Sequence, residues 1–261
     1  MKSLAVAILF ALTISGCEPS ANVNHGSEPD KLTRDLVIVT LTFDDTHANQ
    51  LLAVEKLNEN SMHGTFYVNS PRIGTPTFLT KDNLDEMAAA GHEIGGHTLS
   101  HSKVLENETD IAKVREEICD DLDNLTSMGY QVSSFAYPYG KSGGLIKQVV
   151  ESCYENAREI GGIGGNSSAR SESIPPRDDF GIRCPSSVTH KHSVAALQQY
   201  ITNAQENGGG WIPLVFHHIT DDPEQDYAIA PEKFQELVEW LAEERENGRV
   251  EIKTISNVMS D

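Results

Sequence analysis

Hydrophobic and polar positions along residues 36–255 predict seven or eight pairs of a strand followed by a helix. The first strand, Leu36–Phe43, is apolar and rich in β-branched residues, which is typical of a strand buried on both faces. The clearest helix, Thr109–Met128, has apolar residues spaced by three or four. The other predicted strands are Thr65–Val68, Gly91–Gly95, Ser134–Tyr137, Asn156–Arg158, Phe180–Arg183, Trp211–His217 and Val250–Thr254. The other predicted helices are Asn49–Leu57, Lys81–Ala90, Leu145–Ser152, Ser193–Gln205 and Pro231–Glu246.

This alternation is typical of a parallel sheet covered by helices, which is either a closed barrel or an open, doubly wound sheet. The chain has 261 residues, of which 38% are hydrophobic and 23% charged, as in folded globular proteins. Acidic residues outnumber basic ones by 39 to 20, which gives a net charge of −19. We therefore exclude nucleic acid as a partner, because contacts to phosphates need clustered lysine and arginine.

The first residues predict an export signal. Lys2 precedes an apolar stretch of eleven residues, Leu4 to Ile14, whereas a membrane-spanning helix needs about 20. The following Ile14-Ser15-Gly16-Cys17 resembles a bacterial lipobox, and the resemblance implies cleavage before Cys17 and a lipid anchor on that cysteine. The alternative is an ordinary secretory signal with a chance cysteine. Residues 17–35 are polar and predict a flexible tether, so residues 1–16 are the signal and residues 36–261 a single folded domain.

We therefore expect an exported monomer whose membrane contact is limited to the anchor at the cell envelope. The envelope site is the periplasmic face, and in a Gram-negative host the outer membrane. Three cysteines follow the signal, namely Cys119, Cys153 and Cys184. An oxidising compartment favours one disulfide, and the sequence does not choose the pair.

Reactive side chains follow three of the predicted strands. Two adjacent aspartates, Asp44 and Asp45, come directly after the first strand. Adjacent carboxylates repel each other, so together they need a cation or a shared proton. His97 and His101 follow the third strand, and a spacing of four places both imidazoles on one face of a helical turn. Catalytic side chains in parallel barrels lie at such carboxyl ends of strands.

Asp45, His97 and His101 therefore predict a metal site. Three protein ligands leave one position open for water or substrate, as in catalytic zinc sites. Zinc fits these ligands best, and cobalt or nickel fits as well. Asp44 then remains as a general base for water.

A further histidine pair, His217 and His218, ends the Trp211–His217 strand. Side chains alternate along a strand, so only one of the two faces the mouth of a barrel. That histidine can protonate a leaving group. His217 and His218 are both candidates for this role, and the strand register decides between them.

Taken together, these segments resemble the polysaccharide deacetylase family, the NodB-homology metal-dependent carbohydrate esterases, over residues 36–255. The matching segments are Thr42-Phe43-Asp44-Asp45, Gly64-Thr65-Phe66-Tyr67-Val68, residues 91–101 (GHEIGGHTLSH), residues 135–140 (FAYPYG) and the strand ending at His217. The resemblance implies a single distorted (β/α)7 barrel. It also implies removal of acetyl groups from N-acetylated sugars of the chitooligosaccharide, peptidoglycan or poly-N-acetylglucosamine type.

The same resemblance implies a role for each matching residue. It makes Asp44 the general base, His217 the general acid, and Asp45, His97 and His101 the ligands of one divalent metal ion. The backbone N–H of Tyr139 is expected to stabilise the oxyanion, with Pro138 beside it in the wall of the groove.

The chain departs from the family pattern in two places. Many members carry an arginine where this chain has Ala136, and a second group with the FAYPYG form has its arginine on a later strand. Arg183 resembles that second arginine, so we predict that it orients Asp44. The acidic residue that usually tunes the catalytic histidine has no clear match, and Asp178 or Asp179 are the candidates. The loop 160–179 is expected to determine substrate specificity.

Three other functions are compatible with the sequence. The same site could remove O-acetyl groups from acetylated xylan. The chain could be a non-catalytic sugar-binding protein on a degenerate scaffold, since Ala136 replaces an arginine. Finally, Gly140-Lys141-Ser142-Gly143-Gly144 matches the nucleophile-elbow pattern of serine esterases, with Ser142 as the nucleophile.

Overall fold

A computed structural model describes residues 36–165, 167–222 and 224–261. The predicted signal (1–16) and tether (17–35) lie outside these residues and stay predictions. The strands are β1 (Val37–Phe43), β2 (Thr65–Val68), β3 (Glu93–Gly96), β4 (Ser134–Ala136), β5 (Asn156–Gly162), β6 (Ile182–Cys184), β7 (Gly210–Phe216), β8 (His218–Ile219), β9 (Ala228–Ile229) and β10 (Val250–Ile252). The α-helices are α1 (Leu51–Glu59), α2 (Lys81–Ala89), α3 (Ile111–Ser127), α4 (Leu145–Cys153), α5 (Val194–Glu206), α6 (Pro231–Glu246) and α7 (Ile255–Ser260).

The main sheet is parallel throughout and confirms the predicted distorted (β/α)7 barrel. Its order is β6-β5-β4-β3-β2-β1-β7. The last strand, β10, pairs with the amino-terminal half of β1, while β2 pairs with the carboxyl-terminal half on the same edge. Strand β1 therefore contacts three neighbours and lies at the centre of the architecture.

The barrel is distorted because β6 and β7 are its two edge strands and do not pair with each other in the described residues. Glu172, in the loop before β6, bridges this gap. Its backbone forms an antiparallel bridge with Trp211 of β7, and its carboxylate accepts hydrogen bonds from Arg183 of β6. The barrel is thus closed by a side-chain ion pair in place of a strand ladder.

Strand β1 shows how the sequence orients the site. Val37, Val39, Leu41 and Phe43 alternate toward the helices and belong to the outer core. The intervening side chains face the barrel interior, where the Trp211 indole donates to Thr40 Oγ1 at 2.9 Å. Because side chains alternate, the residue after Phe43 points inward again. This alternation directs Asp44 into the mouth of the barrel.

The amino-terminal end of the barrel is closed by the short helix α7. Buried Glu93 accepts hydrogen bonds from Thr65 Oγ1 at 2.8 Å, Ser134 Oγ at 2.6 Å and the backbone N–H of Ser256 at 3.0 Å. Burial raises the pKa of Glu93. An acidic side chain at the amino terminus of a helix is favourable, so Glu93 fastens α7 to the barrel floor.

Two adjacent glycines in β3 make room for tyrosines on both sides of the sheet. A Cβ on Gly95 would lie 2.6 Å from the Tyr67 ring inside the barrel, and a Cβ on Gly96 would lie 2.0 Å from Tyr154 Oη on the outside. Real Cβ atoms do not approach other atoms this closely. Glycine is therefore required at both positions by packing.

Most predicted elements are found with ends displaced by a few residues, and helix Pro231–Glu246 agrees at both ends. Strand β5 continues past the predicted Arg158 to Gly162. The pair β8–β9 and helix α7 were not predicted, because they are too short to show a period. None of the described helices combines the length and the apolar character that a membrane span needs.

The cysteine pair that the sequence left open is Cys119 of α3 with Cys153 at the end of α4, with Cα atoms 5.8 Å apart. Cys184 is a buried free thiol. The disulfide fastens two neighbouring helices on one flank of the barrel.

We predict that replacing both disulfide cysteines, Cys119→Ala with Cys153→Ala, lowers the free energy of unfolding. The bridge joins residues 34 positions apart, and closing a loop of that length stabilises by roughly 3–4 kcal/mol. Denaturant unfolding measures the loss, and reducing agent should produce the same loss in the wild type and none in the double variant. Equal stability of the double variant and the oxidised wild type would show that the bridge does not stabilise the native protein.

Candidate active site

Four of the predicted site residues meet at the carboxyl ends of the strands. Asp44 and Asp45 follow β1, His97 follows β3 and His217 follows β7, and all four line one cleft of about 700 Å³. The remaining walls come from Ile160 of β5 and from residues outside the strands: His101, Lys103, Tyr139, Ser186, Ser187, Thr189, His192, Asp226 and Tyr227. The cleft is large enough for at least one sugar ring.

Asp45, His97 and His101 form the cluster that the sequence predicted. Asp45 Oδ1 lies 3.3 Å from His101 Nε2 and 3.7 Å from His97 Nε2. One potential ligand atom from each residue lies within 4.8 Å of the other two. One carboxylate oxygen and two imidazole nitrogens are a donor set that suits zinc and similar divalent ions.

Hydrogen bonds to the far side of each imidazole direct Nε2 toward this cluster. His97 Nδ1–H donates to the backbone oxygen of Ala136 at 2.7 Å, and a carbonyl can only accept. Tyr139 Oη donates to the backbone oxygen of His101 at 3.1 Å and lies 3.1 Å from His101 Nδ1, from which it can accept. Fixing Nδ1–H in this way leaves the Nε2 lone pair for a metal ion.

The residues present fit a metal ion by a second criterion. His97 Nε2 is buried and has no hydrogen-bond partner in the described part of the chain. Leaving a buried polar atom without a partner costs free energy, and a metal ion at this position would remove the cost. Burial lowers the pKa of His97 to about 4, which keeps its imidazole neutral and able to coordinate.

The backbone conformation that places His101 in the cluster differs from the prediction. Residues 97–101 do not form a helical turn. Thr98 and His101 instead have left-handed backbones, with φ of 68° and 53°. The loop therefore turns back sharply after β3, and the two imidazoles converge with ring centroids 4.9 Å apart.

Asp121 of α3 holds the start of this loop. Its buried carboxylate accepts from the backbone N–H of Ser70 at 2.7 Å and of His97 at 3.1 Å. Burial raises its pKa to about 6. Asn69 adds two bonds, from Nδ2 to the backbone oxygens of His97 and Thr98. The sequence carried a signal for Asp121, since it lies on the face of the helix that also buries Ile118 and Leu125.

Asp44 forms an ion pair that is completely buried. Arg158 Nη2 lies 2.5 Å from Asp44 Oδ1, with both side chains at most 1% exposed. Burial raises the pKa of Asp44, but the Arg158 charge, followed by those of His97 and His217, outweighs it and lowers the pKa overall. Asp44 is therefore ionised at neutral pH, as a general base must be.

The prediction that Arg183 orients Asp44 is wrong. Arg183 donates from Nε and Nη2 to the Glu172 carboxylate at 2.8 and 2.6 Å, outside the cleft. Arg158 takes the predicted role from β5, one strand earlier. Arg158 is the third residue of β5, and the first three residues of this strand are buried. A buried charged residue is rarely found without a partner, and an arginine in a predicted strand is a signal that could have identified Arg158 in the sequence.

The ends of β1 and β7 are tied together by buried Gln50. Its Nε2 donates to the backbone oxygens of Asp44 at 2.6 Å and His217 at 2.9 Å. His217 Nε2 then lies 3.9 Å from Asp44 Oδ2. Burial lowers the pKa of His217, while the two aspartates of the site oppose this shift.

The neighbouring histidine points away from the cleft. His218 stacks on His47 with ring centroids 3.7 Å apart, and its Nδ1 lies 3.2 Å from Asn49 Nδ2. Asp178, a candidate partner for His217, instead pairs with Lys147. His217 contacts the ring of Tyr227, at 5.2 Å between centroids, and its Nδ1 has no hydrogen-bond partner among the described residues.

Tyr139 and Pro138 form a sharp turn after β4. Tyr139 has a left-handed backbone (φ 58°), and its side chain is 40% exposed at the cleft. Pro138 is buried and is not among the residues that line the cleft, in contrast to the prediction. The turn therefore presents Tyr139, not Pro138, to the cleft.

A parallel barrel that brings carboxylates and imidazoles together at the carboxyl ends of its strands has the arrangement of an enzyme active site. Residues 32–154 match the model of the polysaccharide deacetylase family, the family that the sequence motifs resemble. No curated protein sequence matches the chain significantly.

Solved structures with the same fold cover most of the chain. A family 4 acetyl xylan esterase from Clostridium thermocellum, in complex with a cobalt ion, has 20% identity and a TM-score of 0.56, over 85% of this chain and 90% of that one. The peptidoglycan deacetylase PdaC from Bacillus subtilis has 16% identity and a TM-score of 0.52, over 86% and 90%. The deacetylase PplD from Streptococcus pyogenes has 22% identity and a TM-score of 0.52, over 62% and 69%. At these identities, the likeness establishes the fold.

We predict that Arg158→Met and Arg183→Met have different consequences. Removing Arg158 leaves the Asp44 carboxylate buried without a partner, which costs roughly 3–5 kcal/mol of stability. It also raises the pKa of Asp44, so the acidic limb of the pH–rate profile for kcat/KM moves to higher pH. Arg183→Met should lower the free energy of unfolding, because it leaves the buried Glu172 carboxylate without its partner. It should not shift the pH–rate profile.

Arg158→Lys is the control for folding, because it retains the charge. Denaturant unfolding and pH–rate profiles of the three variants test this assignment. A profile that shifts in Arg183→Met and not in Arg158→Lys or Arg158→Met would contradict it.

Burial of the two histidines also predicts how metal binding depends on pH. Burial lowers the pKa of His97 from 6.5 to about 4 and lowers that of His101 as well. His97 then stays neutral as the pH falls to about 5.5, and His101 takes up fewer protons than an ordinary histidine would. Two ordinary histidines would weaken binding about 100-fold at that pH by taking up protons. Zinc titration calorimetry at about pH 7.5 and 5.5 should show less than a tenfold loss, and His97→Ala should not bind. Zinc binding that is about 100-fold weaker at pH 5.5 would mean that burial does not lower the pKa of these two histidines.

Proposed function

We propose that the protein is a metal-dependent deacetylase that hydrolyses the N-acetyl group of amino sugars, with Asp44 as general base and His217 as general acid. The observation that carries the proposal is the placement of the buried Asp44–Arg158 pair beside the Asp45, His97 and His101 cluster in one cleft. Matching residues 32–154 to the polysaccharide deacetylase family supports the same chemistry.

Asp45, His97 and His101 would hold one divalent ion, for which zinc is our first choice and cobalt or nickel the alternatives. When bound, such an ion supplies Lewis acidity, which polarises an acetyl carbonyl and makes a water molecule more acidic. Asp45 is suited to this role because burial, which alone would raise its pKa, is outweighed by its hydrogen bond with His47 and the charges of His97 and His101, so its pKa is lowered overall.

Asp44 and His217 divide the two proton transfers. Asp44, held ionised by Arg158, accepts the proton of the attacking water. The acetyl carbon then bears a negative oxygen, for which the backbone N–H of Tyr139 is the proposed donor. His217 donates a proton to the departing amine nitrogen. Gln50 holds the strand ends that carry both groups, which fixes the distance between base and acid.

Two exposed tyrosines suit the cleft to carbohydrate. Tyr139 is 40% exposed beside His101, and Tyr227 is 51% exposed beside His217. Aromatic faces exposed to solvent bind the apolar faces of sugar rings while the hydroxyl groups remain hydrated. An acetylated sugar lying between these rings would present its acetyl group to the cluster.

The alternatives from the sequence have different support. An O-deacetylase acting on acetylated xylan uses the same residues, and the acetyl xylan esterase among the structural neighbours keeps this substrate open. A sugar-binding protein would not need the buried Asp44–Arg158 pair, whose desolvation is costly. A serine esterase is disfavoured, since Ser142 hydrogen-bonds to Glu159 and to no histidine of the described chain.

Export and lipid anchoring remain part of the proposal. The Cys119–Cys153 disulfide supports an oxidising compartment, which is consistent with the signal predicted for residues 1–16. The acetylated substrate would then be a glycan of the cell envelope or its surroundings. We propose a monomer anchored at Cys17.

We predict that the purified protein releases acetate from N-acetylglucosamine oligomers, that a chelator stops the release and that zinc restores it. Asp44→Asn should lower kcat by at least about 100-fold, since a general base contributes roughly that much or more, and should still bind one metal ion per chain. Acetate release and metal content are measured on the same samples. Acetylated xylan is assayed in parallel to compare ester with amide hydrolysis.

Ser142→Ala is the matched control and should retain full activity. Acetate release that persists in chelator and is lost in Ser142→Ala would overturn the metal mechanism. One bound metal ion per chain without acetate release from either substrate would instead favour the sugar-binding alternative.

A further inference from the structure

A second cavity lies at the opposite end of the barrel from the candidate active site. It has a volume of about 620 Å³ and is lined by Leu36 and Gly210, at the amino-terminal ends of β1 and β7. Strand β1 separates it from Asp44 by seven residues, which is roughly 20 Å. The cavity therefore cannot be a subsite for a single sugar bound near the metal ligands.

Three arginines line this cavity, although the chain as a whole carries a net charge of −19. Arg183 is paired with Glu172, the acidic residue in the lining. Arg170 and Arg177 are exposed and form no hydrogen bond or ion pair with any residue of the described ranges. After the Arg183–Glu172 pair is subtracted, the lining retains two positive charges.

Residues from the segment 160–179 line cavities at both ends of the barrel. Ile160, at the end of β5, lines the candidate active site, whereas residues 169–174 and Arg177 line this second cavity. The sequence analysis assigned the whole loop 160–179 to substrate specificity. The half of this segment that carries Arg170 and Arg177 lines the second cavity, so substrate specificity at the candidate active site does not explain these two arginines.

We propose that this cavity, the arginine cavity, is a binding site for a phosphate monoester group. Guanidinium groups recognise phosphate by paired N–H donors in a planar fork. A phosphate monoester carries a charge of about −1.5 to −2 at neutral pH, which matches the two uncompensated arginines, and its three terminal oxygens can contact both at once. A carboxylate has only one charge and two oxygens, so it would leave one arginine uncompensated.

Two sources could supply such a phosphate monoester: a soluble phosphorylated metabolite or glycan, and the headgroup of phosphatidic acid. Leu36 at the cavity rim directly follows the segment 17–35. If that segment tethers the chain to a lipid anchor, it leaves the domain on this face. The test therefore includes both sources.

The experiment is titration calorimetry of the purified protein with inorganic phosphate at constant ionic strength. We compare the wild type, the double variant Arg170→Ala/Arg177→Ala and the double variant Lys113→Ala/Arg115→Ala. The last removes the same number of charges from α3 and is the matched control. Phosphate that binds at the metal centre contributes equally to all three proteins, so the difference between them reports on the arginine cavity.

The proposal expects saturable phosphate binding in the wild type and the control, and at least tenfold weaker binding in the arginine variant. All three should release acetate at the same rate, because neither pair belongs to the cleft. Binding of glycerol 3-phosphate that depends on the two arginines would assign a soluble source. Binding to vesicles that contain phosphatidic acid, with the same dependence, would assign a lipid headgroup. Equal phosphate binding by all three proteins, or none by the wild type, would overturn the proposal.

Discussion

The buried ion pair between Asp44 and Arg158 is the interaction on which the rest of the barrel depends. Taking two charges out of water costs several kcal/mol for each ion, and the pair repays this only when its geometry is closely held. The Arg158 guanidinium lies 4.9 Å from the centre of the Tyr67 ring, which supports it from below. Tyr67 in turn fits only because position 95 is glycine. The glycine at position 95 thus makes room for Tyr67, Tyr67 supports Arg158, and Arg158 holds the Asp44 carboxylate that would accept a proton at the mouth.

Charges alternate along the barrel interior. Glu93 lies at the floor with the amino terminus of α7, Arg158 lies at mid-height, and Asp44 and Asp45 lie at the mouth. Each buried charge has an opposite charge or a set of hydrogen-bond donors beside it, which is the condition for keeping ions in an interior. The two carboxylates at the mouth are the electrostatic reason why a divalent cation fits there. They favour protonation of His97 and His101, and burial opposes this by lowering the pKa of both histidines.

The architecture could be predicted from the sequence because its apolar residues recur with a clear period. The direction of a single side chain in a short strand could not be predicted, because a strand of three or four residues is too short to show a period. Arg158 and Arg183 occur in predicted strands of similar length, and only the register of β5 in the closed barrel decides that Arg158 points inward. His97 and His101 were identified by residue type and spacing, yet the left-handed turn that joins them has no signature at Thr98. Strand alternation predicted that only one of His217 and His218 faces the cleft, and the resemblance to the deacetylase family selected His217.

Strand β1 pairs with β7 and with β10, so the first strand of the domain is completed by two of the last. During synthesis, the edge of β1 that faces β7 remains unpaired until the chain has grown past Phe216, and the amino-terminal half of its other edge until the chain has grown past Ile252. Asp44 and Asp45 are attached directly to this strand and cannot reach their final positions earlier. Contacts between such distant residues form slowly, and exposed strand edges invite association with other chains. A nascent or truncated chain that ends before β7 therefore carries the acidic half of the site without the scaffold that holds it, and is a natural target for chaperones or proteases.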